Sequence, residues 1–326
     1  MKELSDAPEE QVDLAEISDQ PGPYCMSFRF DLDPLMRSIR KFGLIQRPFI
    51  IESENGKKDV VIGFRRILAL KSLKWDRAPM KVLAGDDLPP SDLLLLNLYD
   101  NLSSRSFNDV ERGMILKRLK PHFSGEEIRR DYMPLLGLPS NESTRILYEK
   151  LEELDMALRT SCADGDLPLK TIKALLETDP EARPALFRWI KDFKLNFNQQ
   201  SLFIENTLDI SVREETTVLQ VLQEKSFLSI KEDQKLNNPH KAKRTLSYLR
   251  SRRFPLLTRS EEAFEKRISG LGLPERVKIS HAPFFENPDY RLEILFRDGK
   301  VLGETVKNLA RINELEDICD PWEEGS

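Results

Sequence analysis

Hydrophobic and polar positions follow two rhythms along this chain, and the change from one to the other falls near residue 108. Before it, short apolar runs alternate with stretches of helical spacing. In DPLMRSIRKFGLI, Leu35, Ile39 and Phe42 recur at near-helical intervals and Gly43 closes the segment. RPFIIES (47–53) and DVVIG (59–63) are apolar runs joined by ENGKKD, whose Asn-Gly marks a turn, so the pair is predicted as a hairpin with a longer loop. A helix over 65–74 follows, then a third strand, APMKVLA (78–84). DDLPPSD breaks the chain, and LLLLNLYDNL (93–102) continues as a buried helix.

Beyond residue 108 the spacing is almost wholly helical. FNDVERGMILKRLK opens on Asn108 as an N-cap with Glu111 three residues on, a variant of the capping box. SGEEIRRDYMPLLGLP and SNESTRILYEKLEELD read as two short helices around Gly137-Leu138-Pro139, the dimensions of a helix-turn-helix. TDPEARPALFRWIKDFKLN through VLQVLQEKSF is helical with breaks, and residues 180–235 carry no role beyond scaffold. SEEAFEKRISGLGLP is a further helix, VKISHAPFF and YRLEILFRDG have strand character, and ETVKNLARINELE closes the pattern.

The expected class is α+β. Its divisions are an acidic flexible arm (1–24), a small mixed α/β domain (25–107), a helical domain with a helix-turn-helix (108–233), a basic linker (234–259), a small α/β module (260–312) and an acidic tail (313–326).

Composition refines this picture. Charged residues are 32% and hydrophobic ones 40% of 326, as in soluble helix-rich proteins. No apolar run approaches the roughly 18 residues of a membrane span, and the acidic N-terminus lacks the form of a signal peptide. Cys25, Cys162 and Cys319 lie far apart and make no zinc-type pair, which suits a reducing cytoplasm. His122, His240 and His281 are isolated in sequence. The net charge of −5 argues against a nucleic-acid partner only until its distribution is read: residues 1–20 and 313–326 carry −6 each, leaving +7 on the body. Residues 234–260 hold eight basic side chains and no acid, including Lys241, Lys243, Arg244, Arg250, Arg252 and Arg253. Such a span suits phosphate contacts in a salt-dependent manner, or equally a solvated helix face.

One stretch carries candidate chemistry. In VVIGFRRILALKSL (60–73) an apolar run meets Gly63, and Arg65 and Arg66 stand at the start of the following helix. Cations there face the positive end of the helix dipole, at a cost of roughly 0.3–1 kcal/mol each. Strand, glycine and helix start form a recipe for an anion site, in which a phosphate would take the first-turn amides and the guanidinium forks. The alternative is that both arginines face solvent or pair with acids such as Asp100.

Three boxes resemble the ParB family of chromosome and plasmid partition proteins. Gly63-Phe64-Arg65-Arg66 with Ala69 is similar to the family's GERR…A box, SIRKFGLIQRP (38–48) to its SIxxxGLIQP box, and DNLSSRSFNDVERG (100–113) to ENIQREDLNPIEEA. The resemblance implies a ParB/sulfiredoxin-like N-terminal domain that binds CTP with Mg²⁺, closes as a clamp on double-stranded DNA and hydrolyses CTP slowly. It implies triphosphate contacts from Gly63, Arg65 and Arg66, with Gln46 and Asn101 in the nucleotide pocket and Asp100 and Asn101 beside the metal. Phe64 stands where the family has a glutamate, and Ser104 where it has an arginine, with Arg105 one residue later. The related sulfiredoxins use a cysteine in the phosphate loop, where this chain has Phe64-Arg65.

The candidate helix-turn-helix, whose alternative reading is a helical hairpin packing against its neighbours, lies where the family keeps its DNA-reading helices. Asn141, Ser143, Thr144 and Arg145 occupy the first turns of its second helix; Asn and Arg suit base edges, Ser and Thr suit phosphates. CADGDLPLKTIKALLE (162–177) resembles the family's GxLSxGHARALL segment, which makes Lys170 and Lys173 candidate backbone contacts. The implied partners are double-stranded DNA, a second copy of the chain through the C-terminal module and a Walker-type partition ATPase, in a cytoplasmic, nucleoid-associated setting. The alternative function is a transcriptional or mobile-element regulator that kept the fold without nucleotide hydrolysis; a ParB-like nuclease is the third.

Overall fold

The computed structural model describes residues 7–52, 56–85 and 87–318. Asn55 of the expected Asn-Gly turn, the first residues of the arm and the end of the acidic tail with Cys319 lie outside them. The chain forms two compact units, Met1–Pro184 and Ala185–Ser326.

The first unit is built on a four-stranded sheet. Its elements run β1 (Glu9–Asp13), α1 (Asp33–Phe42), β2 (Phe49–Glu52), β3 (Lys58–Ile62), α2 (Phe64–Ser72), β4 (Arg77–Ala84) and α3 (Pro90–Leu102). The strand order is β1-β4-β2-β3, with β2 antiparallel to β3 and parallel to β4, and β1 antiparallel to β4. Strand residues alternate between faces, and both faces are covered. Ile50, Val60 and Val82 join a core with Ile39 of α1 and Ile67 and Leu70 of α2. Ile51, Val61 and Leu83 pack with Leu93 of α3 on the other side. This is why these strands read as continuous apolar runs rather than alternating ones. The hairpin, the third strand and the helices around them stand as the spacing predicts.

The acidic arm needs correction. Glu9–Asp13 is an edge strand, with Val12 paired to Ala78, and Val12, Leu14 and Ile17 are buried in the main core. Its acids lie largely on the exposed side, and Asp13 caps the next turn by accepting from Ala15 N. Acidic composition obscured a short apolar alternation.

The expected boundary at 107/108 is also absent. α4 (Asp109–Leu119) starts with the predicted capping box, but Glu111 is buried and accepts from Phe28 N (2.9 Å), Arg105 Nη1 (2.7 Å) and Asn108 N (3.0 Å). One carboxylate thus ties α4 into the same unit as the sheet. α5 (Gly125–Glu127) runs on through a π turn and a 3-10 turn to Gly137, and α6 (Glu142–Glu149) follows. α6 crosses α4 closely: a Cβ at Gly113 would lie 2.4 Å from the Tyr148 carbonyl oxygen. α7 (Met156–Ala163) and α8 (Leu169–Leu176) complete this unit.

The second unit comprises α9 (Arg183–Phe193, whose first turn spans the division), α10 (Phe197–Arg213), α11 (Val218–Leu222), α12 (Lys225–Glu232), α13 (Asn238–Arg253), α14 (Pro255–Gly270), β5 (Val277–His281), β6 (Tyr290–Ile294) and α15 (Gly299–Leu309). Trp189 packs its ring against Phe193, Phe203 and Phe227 at the centre of the helical part. The basic span expected as a linker is α13, with Ala242, Thr245 and Leu249 buried at i, i+3, i+7 spacing. β5 and β6 pair antiparallel, as their strand character suggested. Among the described residues no helix is long and apolar enough to cross a membrane.

Candidate functional site

A cleft of about 450 Å³ in the first unit collects residues from all three sequence boxes. Gln46 precedes β2, Gly63 to Arg66 form the β3–α2 junction, and Asp100, Asn101, Ser104 and Arg105 come from the end of α3 and beyond. α1 contributes Pro34, Leu35 and Ser38, and the segment before it contributes Cys25, Ser27 and Asp31.

Gly63 sets the junction. Its φ of 90° belongs to the left-handed region, and a Cβ there would sit 3.2 Å from Pro48 and 3.1 Å from the Arg66 guanidinium. The turn releases the first amides of α2, while Arg66 N and Ile67 N bond back to the Gly63 carbonyl. Phe64, in the glutamate position of the family box, is buried in the core and meets Phe30 edge-on at 6.5 Å. It supplies packing to the cleft wall and offers no ligand atom.

The two arginines turn into the cleft. Arg66 Nη2 donates to Gln46 Oε1 at 2.6 Å. Burial pulls its guanidinium below the ordinary range, opposed by nearby Asp100. Arg65 lies over the Phe30 ring and makes one long bond, 3.4 Å, to the Asp31 carbonyl. Its Nε is buried without a partner. Burial, and after it the proximity of Arg105, push the Arg65 pKa down. Such strain in a cation is relieved by an anion.

Several residues of the site were not singled out in the sequence. Asn97, the lone polar residue of LLLLNL, is 4% exposed and donates to the Val61 carbonyl. Its position in an apolar run was the available signal, since a buried amide must find a partner. Asn101 Nδ2 donates to Asn97 O (2.8 Å) and Asn97 Oδ1 (3.0 Å). Asn101 Oδ1 accepts from Arg105 Nε at 2.8 Å. With that oxygen committed to a guanidinium, Asn101 does not suit the divalent cation that the resemblance implied, and Asp100 alone of the pair keeps its carboxylate in the cleft lining. The described residues contain no cluster of three His, Cys, Asp or Glu fit for a metal. Cys25, distant in sequence from the phosphate loop, lies in the cleft wall, and burial pushes its thiol up.

The expected DNA-reading residues have more mixed positions. Asn141 is the N-cap of α6; its Oδ1 accepts from Thr144 N and Ser143 Oγ, both at 2.8 Å. Arg145 is 12% exposed and held by Glu142 and Glu149, and Glu142 also takes Arg129. The hydrogen bond from Arg145 holds the Glu142 carboxyl at about 2. Lys170 and Lys173 are exposed on α8.

The basic span departs furthest from its free-charge reading. Arg252 is bridged by Glu214 and Glu224, Arg250 bonds Glu261 at 2.7 Å, and Arg253 bonds Asn206 (2.7 Å) and Asp209. Arg244 faces Asp233 at 3.6 Å and Lys241 donates to the Lys231 carbonyl at 2.6 Å. Of these six, Lys243 alone has no partner among the described residues. The acids come from α10, α14, the turn after α10 and the caps that flank α12, beyond any local window.

The fold and site together define a class: a mixed-sheet domain with an anion-suited strand–glycine–helix cleft, followed by a run of short helices. No family model matches the chain. It is 29% identical over 190 residues to the chromosome-partitioning protein ParB of Campylobacter jejuni, covering 57% of this chain and 64% of that protein. It is 26% identical over 197 residues to a nucleoid occlusion protein of Shouchella clausii, covering 58% and 66%. The chain thus spans a little under two thirds of these relatives' length. A C-terminally truncated ParB of Caulobacter crescentus, solved with CTP-γ-S, aligns at 20% identity over 55% of this chain and 98% of that one, with a TM-score of 0.27. On these sequence relatives, the chain is similar to ParB-family proteins.

Proposed function

We propose that this chain is a DNA-binding protein of chromosome or plasmid partition whose N-terminal cleft takes the triphosphate of CTP and uses it to switch a clamp on DNA. The observation that carries the reading is the convergence of Gln46, Gly63, Arg65, Arg66, Asp100 and Asn101 on one cleft, with Arg65 Nε buried and unpaired. Gly63 and the first amides of α2 receive one phosphate, and Arg65 and Arg66 neutralise its neighbours. The choice of CTP and the clamp come from the resemblance of the three boxes to ParB proteins. DNA contacts fall to the helix-turn-helix, with Asn141, Ser143 and Thr144 at the start of α6 and Lys170 and Lys173 on α8. The chain acts as a dimer at the nucleoid, with a Walker-type ATPase as partner in partition. Nucleoid occlusion, the activity named for the Shouchella relative, is the second reading, and an occupancy map of chromosomal DNA separates the two.

Isothermal titration with CTP, ATP and GTP tests the cleft. CTP is expected to bind, and Arg65→Ala with Arg66→Ala to weaken it at least about tenfold, as loss of charge-assisted bonds does. Equal affinity in wild type and double variant would remove the phosphates from this cleft.

A further inference from the structure

We propose that the cleft binds its triphosphate without a divalent cation, the Arg105 guanidinium standing as a fixed positive charge where a metal would otherwise lie. The inference rests on the nucleotide reading above and concerns how that site balances charge.

Asn101 is oriented by its own contacts. Its amide nitrogen is engaged twice by Asn97, so its oxygen faces Arg105 and receives Nε at 2.8 Å. Flipping the amide would sacrifice all three bonds. A Mg²⁺ bound through this oxygen would sit against a guanidinium, a repulsion that low dielectric strengthens.

Arg105 has little freedom to withdraw. Nη1 is bound to the buried Glu111 carboxylate at 2.7 Å, and Nη2 reaches Ser27 Oγ (3.1 Å) and Met26 O (3.3 Å). Its guanidinium also lies 4.7 Å from the Phe107 ring centroid. The described cleft lining carries three guanidiniums, Arg65, Arg66 and Arg105, and two carboxylates, Asp31 and Asp100, with Glu111 behind Arg105 as a third. Arg65 and Arg105 repel each other, and Arg65 Nε is unpaired. A polyanion between these cations offsets the Arg65–Arg105 repulsion and gives Arg65 a partner, with no metal required.

The test is titration of CTP into the full chain with excess Mg²⁺ and, separately, with EDTA. The two dissociation constants are expected to agree within about threefold. Arg105→Gln combined with Glu111→Gln removes the cation without leaving a buried carboxylate alone. With folding verified by circular dichroism, it is expected to lose about tenfold or more in EDTA. Added Mg²⁺ then recovers part of that loss, because Asn101 Oδ1 has been released. Wild-type binding that appears only with Mg²⁺ overturns the inference and leaves the nucleotide reading standing. Binding of no nucleotide in either buffer overturns both.

Discussion

Two sets of arginines in this chain look alike in sequence and differ in what surrounds them. In the N-terminal cleft, Arg65 has a buried nitrogen without a partner and Arg66 reaches only an amide oxygen. On α13, Arg250, Arg252 and Arg253 each meet a carboxylate, and Arg252 meets two. The first set has charge to offer a ligand; the second has spent its charge holding helices together. Density of basic residues therefore measures available charge poorly, and partners distant in sequence decide it.

The comparison is sharpened most strongly at Arg105, the cleft arginine with a buried partner. Glu111→Gln leaves that guanidinium without its anion in a buried setting, and is expected to cost about 3 kcal/mol in denaturant unfolding. Adding Arg105→Gln should recover part of the loss. Failure of the second change to recover any stability would mean that Glu111 acts through the Phe28 and Asn108 amides alone.

Arg252→Gln probes the other set. Its partners are partly exposed, so a stability loss of about 1 kcal/mol is expected. The salt dependence of DNA binding should stay unchanged, whereas Lys243→Gln lowers the slope if α13 meets DNA at all. A shallower salt slope in Arg252→Gln would show that the ion pairs open and that this arginine is available to phosphate.

The smallest effect concerns α6, where Arg145 resembles the α13 set. Glu142 ordinarily titrates near 4.5 and is held at about 2 by Arg145, with Arg129 adding to the effect. Its contribution to stability is therefore complete above pH 4.5 and lost as pH falls toward 2. Glu142→Gln is expected to flatten the unfolding profile across that window and leave it unchanged at pH 7 relative to its own plateau. An unaltered acid limb would mean the pairs contribute nothing in solution.

How much of this was legible in sequence depended on the range of the interactions. The hairpin, β4 and the helices that flank them follow from local apolar spacing, and Gly63 marked the β3–α2 junction because its conformation is a local demand. Glu111 was recognisable as a capping residue, yet its bond to Phe28 N joins positions 83 apart. Asn97 reaches Val61 across 36 residues, so only its isolation among leucines hinted at a partner. β1 was hidden because acids surround Val12 and Leu14, and strand pairing with β4 is a non-local event. α13 was missed as a packed helix because its eight-base neighbourhood dominated a pattern of only three buried positions. In each case a local window registered the residue and could not register what it touches.

Hydrogen exchange with and without CTP tests the central claim most directly. Slower exchange is expected in the Gly63–Ile67 amides and in residues 100–105, with α13 unaffected. CTP that binds while leaving both cleft segments unchanged, or that protects α13 instead, would contradict the account.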